Sequence, residues 1–266
     1  MKLLKRVILF SISVLLLVPF FMILFGATHS SGWAFKLPLD LTFGNNTMNN
    51  FTFLNERYNL ARVLANSFVV ALLTSTLSIV ILFLASYGFS KYEFKFKKIL
   101  FAIFITSVFL PQVSVLIGQL KVMSGLGIYG NFFGLVLPFI INVRTFVYLY
   151  NACFYIPNDL IEASRIDGSS EIKTIMMISL PLIKDKLILA YYMLFVASWN
   201  NFLIPMITIN TRYKFTLPVM ISSLSDPLSY NNGSMFLALS LYMLPLLCLF
   251  VVMSKRVFMN NEEVSY

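Results

Sequence analysis

The chain has 266 residues, of which 59% are hydrophobic and only 12% charged, whereas a soluble domain carries about 25% charged residues. That deficit, with a mean hydropathy of +0.83, excludes an ordinary water-facing globular domain. The net charge of +9 has to be explained by where the basic residues fall along the chain.

The apolar residues gather into six runs at 7–26, 63–88, 99–120, 131–152, 187–208 and 234–254, each long enough for a ~30 Å hydrocarbon core. None holds an acidic residue, and only Arg144 puts a formal charge deep inside one. The expectation is an all-α integral membrane protein, one domain over 1–266 with six transmembrane helices. Lys2, Lys5 and Arg6 ahead of the first run also fit a secretory signal, but Val7 to Phe25 exceeds the about 7–15 residues of a signal core. The run is read as an uncleaved first span.

With both termini in the cytoplasm, 13 of the 20 basic residues fall on inner segments, six on outer ones, and Arg144 within a span. That bias favours both ends in the cytoplasm, and it accounts for the charge as membrane topology without nucleic acid. Cys153 and Cys248 lie where no oxidising compartment would pair them.

The outer segment 27–62, with Asn45, Asn46, Asn49 and Asn50, reads as solvated, and His29 in it as a solvated loop residue. A second outer segment, 209–233, contains Pro218 and Pro227 and reads as a long irregular loop. Prolines 19, 111, 138, 205 and 245 fall in the spans, where bends are tolerated, and no hinge is assigned to any of them.

The long inner segment 153–186 is polar and punctuated like two short helices. Pro157, Asn158 and Asp159 open the first, and Gly168 closes it in the left-handed conformation. Ser169 or Ser170 caps the second, with Glu171 in its first turn and Ile172, Ile175 and Met176 on one face. Leu180-Pro181 is expected to end it, because a residue before proline avoids the α region. Small residues Ala163 and Ser164 between Glu162 and Arg165 suit close docking with charged register; an amphipathic loop at the lipid interface has equal standing on these grounds.

The spacing resolves that choice. Glu162-Ala163-Ser164, three positions, Gly168, nine positions and Ile178-Ser179-Leu180-Pro181 resemble the EAA loop of the permease subunits of binding-protein-dependent ABC importers. Only Ser164 departs from the pattern, where a second alanine is usual. Ile156-Pro157, Ile166-Asp167-Gly168, Asn66-Ser67, Leu217-Pro218 and the segment Ser198-Trp199-Asn200-Asn201-Phe202-Leu203-Ile204-Pro205 are similar to the carbohydrate branch, the maltose and multiple-sugar group. The likeness runs from about Asn50 to Phe258. Asn201 in place of an acid, Ile117-Gly118 in place of Ile-Pro, and an ending from Lys255 to Tyr266 without glycines depart from that branch.

The resemblance implies a permease subunit that moves a sugar or oligosaccharide by alternating access, driven by ATP hydrolysis on separate ATPase subunits. It implies a second related permease, two ATPase subunits and an extracytoplasmic sugar-binding protein as partners. ATP and Mg would sit on the ATPases, with no cofactor bound by this chain. Glu162, Ala163, Ser164, Arg165, Asp167, Gly168 and Ser169 would form the ATPase-coupling loop between spans four and five. Trp199, Asn200 and Arg144 are candidates for the translocation path, since an aromatic face and an amide suit a sugar; packing and snorkelling are the competing roles. Another solute within the family is the near alternative; an ion-driven transporter, which would place titratable groups in its spans, is more remote.

Other chemistry is poorly supplied. Gly125, Gly127 and Gly130 fit GxGxxG but join two apolar runs instead of a strand and a helix, and no glycine is followed by lysine, so neither nucleotide loop is present. A single histidine allows no histidine triad and no multi-histidine metal site. The expectation is a transport subunit and not an enzyme, with no metal.

Overall fold

A computed structural model describes residues 2–38, 40–224 and 231–259, with side chains described for 4–38, 40–224 and 231–254. The side-chain positions of Lys2, Lys255 and Arg256, the residue Pro227 and most of the segment Lys255 to Tyr266 lie outside that description. All regular structure among the described residues is helical. Four helices are long and apolar enough to cross a membrane: α1 (Lys2–Ala27), α3 (Leu60–Lys91), α11 (Lys184–Trp199) continued by α12 (Leu203–Thr208), and α14 (Asn232–Met259).

The runs at 99–120 and 131–152 are not single straight helices. The first is α4 (Lys97–Thr106), extended by a tight turn to Phe109, followed by α5 (Gln112–Gly125) at an angle of 110°. Pro111 stands at the break in extended conformation, supplying no N–H to continue α4. The second is α6 (Phe132–Val136), a turn through Pro138, then α7 (Val143–Phe154), bent by 47°. The chain is thus an all-helical membrane protein with four spans, or six when each bent pair counts as one.

Two compact units are distinguished, Met1–Ser67 with Thr211–Cys248, and Phe68–Asn210 with Leu249–Tyr266. In the first, the outer segment is more ordered than its polarity suggests. It contains α2 (Thr47–Tyr58), with Asn50, Leu54 and Tyr58 buried. Asn50 is not solvated: its Nδ2 donates to the carbonyl of Ala27 (3.0 Å), which the end of α1 leaves without a helical partner, and to that of His29 (2.9 Å) just beyond the helix. Gly233 is pressed so close to His29 O and the Asn50 side chain that no Cβ would fit there.

His29 is likewise held, with Nδ1 at 2.9 Å from Phe25 O, its ring stacked on Trp33 and Nε2 at 3.6 Å from Asp40. The segment after Asn210 is not an irregular loop throughout: it forms a turn at Arg212–Lys214 and α13 (Leu217–Ser223), with Pro218 in its first turn.

The core of the second unit is built on α3, α7 and α11, and on the short helix α8 (Asn158–Ile166). Its core joins Leu82, Phe83 and Tyr87 of α3 to Phe146 and Leu149 of α7, Ile161 of α8 and Leu194 of α11. Buried Ser75, Ser78 and Ser86 keep that stretch of α3 slim enough for close helix contact, and Ser86 Oγ donates to Phe146 O at 3.1 Å. α1 is exposed along its apolar length, as a helix facing lipid or another membrane subunit is.

Candidate functional site

The polar segment forms a helical hairpin on the second unit. Pro157 precedes α8 in extended conformation and Asp159 lies in its first turn, where a carboxylate meets the positive helix end. Gly168 adopts φ +76 and closes α8. Its N–H reaches Arg165 O (3.0 Å) and that of Ser169 reaches Ser164 O (3.0 Å), the pair of bonds that satisfies a helix's last carbonyls. Ser170 caps the second limb by accepting from Lys173 N.

The second limb does not stop at Leu180. α9 (Glu171–Thr174) opens into a wide π turn over Ile175–Ser179, and α10 (Leu180–Leu182) carries the helix through Pro181 toward α11. The π turn explains this: Leu180 N donates to Ile175 O, five residues back, so the ladder is already out of α register where proline lacks its donor. Pro181 then occupies the first turn of a new helical stretch.

One face of the hairpin is anchored. Ile161 is buried in the core shared with α3, α7 and α11. Ser164, the departure from the usual alanine, is buried and its Oγ lies 2.8 Å from Thr174 Oγ1, which bonds the two limbs. Glu171 Oε1 accepts from Tyr87 of α3 at 3.0 Å, and Oε2 accepts from Arg165 Nε (3.2 Å) and Nη2 (3.1 Å). Lys91, the last residue of α3, donates to Ile156 O and, at 2.9 Å, to Asn158 Oδ1.

Burial by itself pushes the Glu171 carboxyl up, but the hydroxyls of Tyr92 and Tyr87 and the Arg165 guanidinium outweigh it and hold the group below its ordinary value. Burial and the same carboxylate push Tyr92 up.

The opposite face is free. Glu162, Ala163 and Asp167 are exposed, and Glu162 makes no hydrogen bond or ion pair among the described residues. Beside them Ile166 is 86% and Ile172 75% exposed, with Met176 also outside. Exposed apolar side chains around an exposed carboxylate form a surface suited to a protein partner. Of the residues singled out in the sequence, Glu162, Ala163, Asp167 and Gly168 belong to this face, while Ser164 and Arg165 tie the hairpin together.

A second feature is a cleft of about 510 Å³ in the same unit, where α5, the break before α7 and the break after α11 meet. Five amides line it: Gln112, Gln119, Asn142, Asn200 and Asn201, with Phe139 and Phe202 among its other walls. Asn200 is therefore at the cleft. Trp199 is 2% exposed and packs on Phe195 and Phe68, with ring centroids 5.7 and 4.8 Å away. Arg144 is exposed in the first turn of α7, not in mid-helix, because the helix starts only at Val143. Gln112, Gln119 and Asn142 were not among the residues the sequence suggested; only the bends bring them to Asn200.

No protein-family model matches the chain. It is 29% identical over 248 residues to the arabinooligosaccharides transport system permease protein AraQ of Bacillus subtilis (strain 168), covering 92% of this chain and 88% of that protein. It is 24% identical over 238 residues to the lactose transport system permease protein LacG of Rhizobium radiobacter, covering 90% and 86%. It is 28% identical over 216 residues to the sn-glycerol-3-phosphate transport system permease protein UgpE of Agrobacterium fabrum (strain C58 / ATCC 33970), covering 78% and 76%. Its fold matches that of a chain in the crystal structure of a bacterial ABC transporter involved in the import of the acidic polysaccharide alginate, with a TM-score of 0.82 at 16% identity, covering 96% and 95%. In sequence the chain is thus similar to permease subunits of ABC importers for sugars, oligosaccharides or glycerol 3-phosphate, which are membrane-embedded transport components.

Proposed function

We propose that this permease spans the cytoplasmic membrane six times with both termini inside, and that it carries a sugar or oligosaccharide inward. Its hairpin receives an ATPase subunit through Glu162, Ala163, Asp167, Gly168 and Ser169, while Ser164 and Arg165 hold the docking face in shape. ATP-driven closure of the ATPase pair would push on this face and turn the cavity outward toward a sugar-binding protein. A second related permease would complete the pore.

The observation that carries this reading is the two-sidedness of the hairpin. Its outer face is exposed, apolar and acidic, and its inner face is bonded to α3 through Glu171–Tyr87 and packed into the core through Ile161. A force applied outside therefore has a rigid route to the spans, as largely rigid-body alternating access requires. The path would pass Asn200, with Trp199 as its packed support and Arg144 near the bend before α7. A non-sugar solute is the second reading, raised by the glycerol-phosphate relative. Co-purification with an ATPase subunit of an ABC importer, together with solute-stimulated ATP hydrolysis, tests the proposal.

A further inference from the structure

Resting on the reading that α3 and α4 meet at the cytoplasmic face, we infer that the turn between them is a binding site for an anionic phospholipid of the inner leaflet. The segment from Lys91 to Lys98 interleaves four lysines with Tyr92, Phe94 and Phe96. Folding sorts those lysines into two pairs.

Lys91 and Lys97 are engaged within the protein. Lys91 donates to Ile156 O and, at 2.9 Å, to Asn158 Oδ1. Lys97 donates to Tyr92 O (2.9 Å) and pairs with Glu93 at 2.7 Å, closing the turn on itself. Lys95 and Lys98 are exposed, and neither forms a hydrogen bond or ion pair among the described residues.

The apolar side chains beside these two cations are equally uncovered. Phe96 has φ +67, a region that a bulky side chain rarely enters, and it is 59% exposed. No burial in the protein therefore accounts for its conformation. Lys95 Nζ stands 5.0 Å from the centroid of its ring. Phe94, also exposed, meets Phe89 of α3 edge to face at 5.3 Å. Directly after Lys98, Ile99, Leu100 and Ile103 of α4 are exposed as well.

The free cations thus sit at the border between a polar turn and an apolar helix. There a lipid phosphate can meet Lys95 and Lys98 while the acyl chains cover Phe96 and Ile99. An acidic protein surface would match the two lysines alone; a phospholipid matches the lysines and the adjoining apolar side chains.

The test uses the purified complex of this permease with its partner permease and ATPases, in nanodiscs of phosphatidylcholine and phosphatidylglycerol in equal parts. A trace of either lipid, carrying the same photoactivatable acyl chain, is cross-linked and the labelled peptides are mapped. Phosphatidylglycerol should label the segment 92–103 well above phosphatidylcholine. Lys95→Gln with Lys98→Gln should cut that preference by roughly 5-fold per lysine, and Lys95→Arg with Lys98→Arg should keep it. Phe96→Gly, which suits the left-handed backbone, should fold as before and lose labelling.

Equal labelling by the two lipids, a preference that survives loss of both lysines, or undiminished labelling of Phe96→Gly overturns the inference. Loss of the ATPase from the Lys95→Gln, Lys98→Gln complex with lipid labelling unchanged would give the patch to a protein partner and overturn it too. An impermeant maleimide on Lys95→Cys checks the underlying topology: reaction in inverted vesicles alone places the turn inside. Reaction in intact cells would overturn that topology, a failure separate from that of lipid binding in nanodiscs, whose two leaflets are alike.

Discussion

Tyr87 of α3 donates a 3.0 Å hydrogen bond to Glu171, and the other oxygen of that carboxylate receives two bonds from Arg165. One side chain therefore links a membrane helix to both limbs of the hairpin. Glu171 was read from the sequence as a residue of the helix's first turn, and Arg165 as a residue for a partner. Their pairing across Gly168 ties both into the hairpin and leaves Glu162 and Asp167 as acidic groups on the exposed face.

Cutting this link should separate docking from transmission. In Tyr87→Phe and Glu171→Gln the ATPase should still co-purify, while solute uptake per ATP hydrolysed falls several-fold. The Arg165–Glu171 pair is part-exposed, and such pairs are worth about 0–1 kcal/mol, so thermal stability should barely move. A large drop in melting temperature with unchanged coupling would contradict this role.

The link also fixes a pH response. Because the folded-state carboxyl of Glu171 titrates below its ordinary 4.5, its contribution is complete above that value and is lost only as pH falls through the lower, folded value. Protease nicking of the hairpin should therefore stay constant from neutral pH down to about pH 5 and rise only in stronger acid, with the rise absent in Glu171→Gln. A transition near neutrality would show that another group controls the hairpin.

Gly168 is constrained by its backbone and not by space. Its φ is +76, yet an added Cβ would meet nothing within 4 Å. Gly168→Asn, which visits the left-handed region readily, should keep ATPase binding, while Gly168→Val, strained by roughly 1–2 kcal/mol or more, should weaken it. Equal behaviour of the two variants in a pull-down would show that the turn's conformation is unimportant.

The serine at position 164 should be dispensable. Ser164→Ala removes the 2.8 Å contact with Thr174, but Thr174 Oγ1 keeps its bond to Ser170 O at 3.2 Å, so the loss should stay within about 1 kcal/mol. Ser164→Leu, forced into a buried site between the limbs, should disrupt the hairpin. Circular dichroism melts and ATPase co-purification of both variants provide the check.

The parts legible in the sequence were those governed by local chemistry. Gly168 and Ser170 dictated the hairpin's turn and cap, and the lengths of the apolar runs marked α1, α3 and α14. Continuation of the second limb through Pro181 was not legible, because it depends on a π turn that no residue type announces. The same holds for the bends at Pro111 and near Pro138: a proline in a span permits a break without requiring one, and neighbouring helices decide. Asn50 and His29 looked solvated because polarity was visible in the sequence, but the carbonyls that bury them were not. The cleft joins residues from 112 to 203, so its five amides become a group only after folding.

The central claim is that an ATPase docks on the exposed hairpin face around Glu162. The most direct test is ATPase co-purification and solute-stimulated ATP hydrolysis with Glu162→Lys, a change on an exposed residue without partners among the described ones. Loss of the ATPase, or hydrolysis no longer responsive to solute, from a permease that still folds and inserts is the predicted result. Normal assembly with fully coupled uptake would contradict the account.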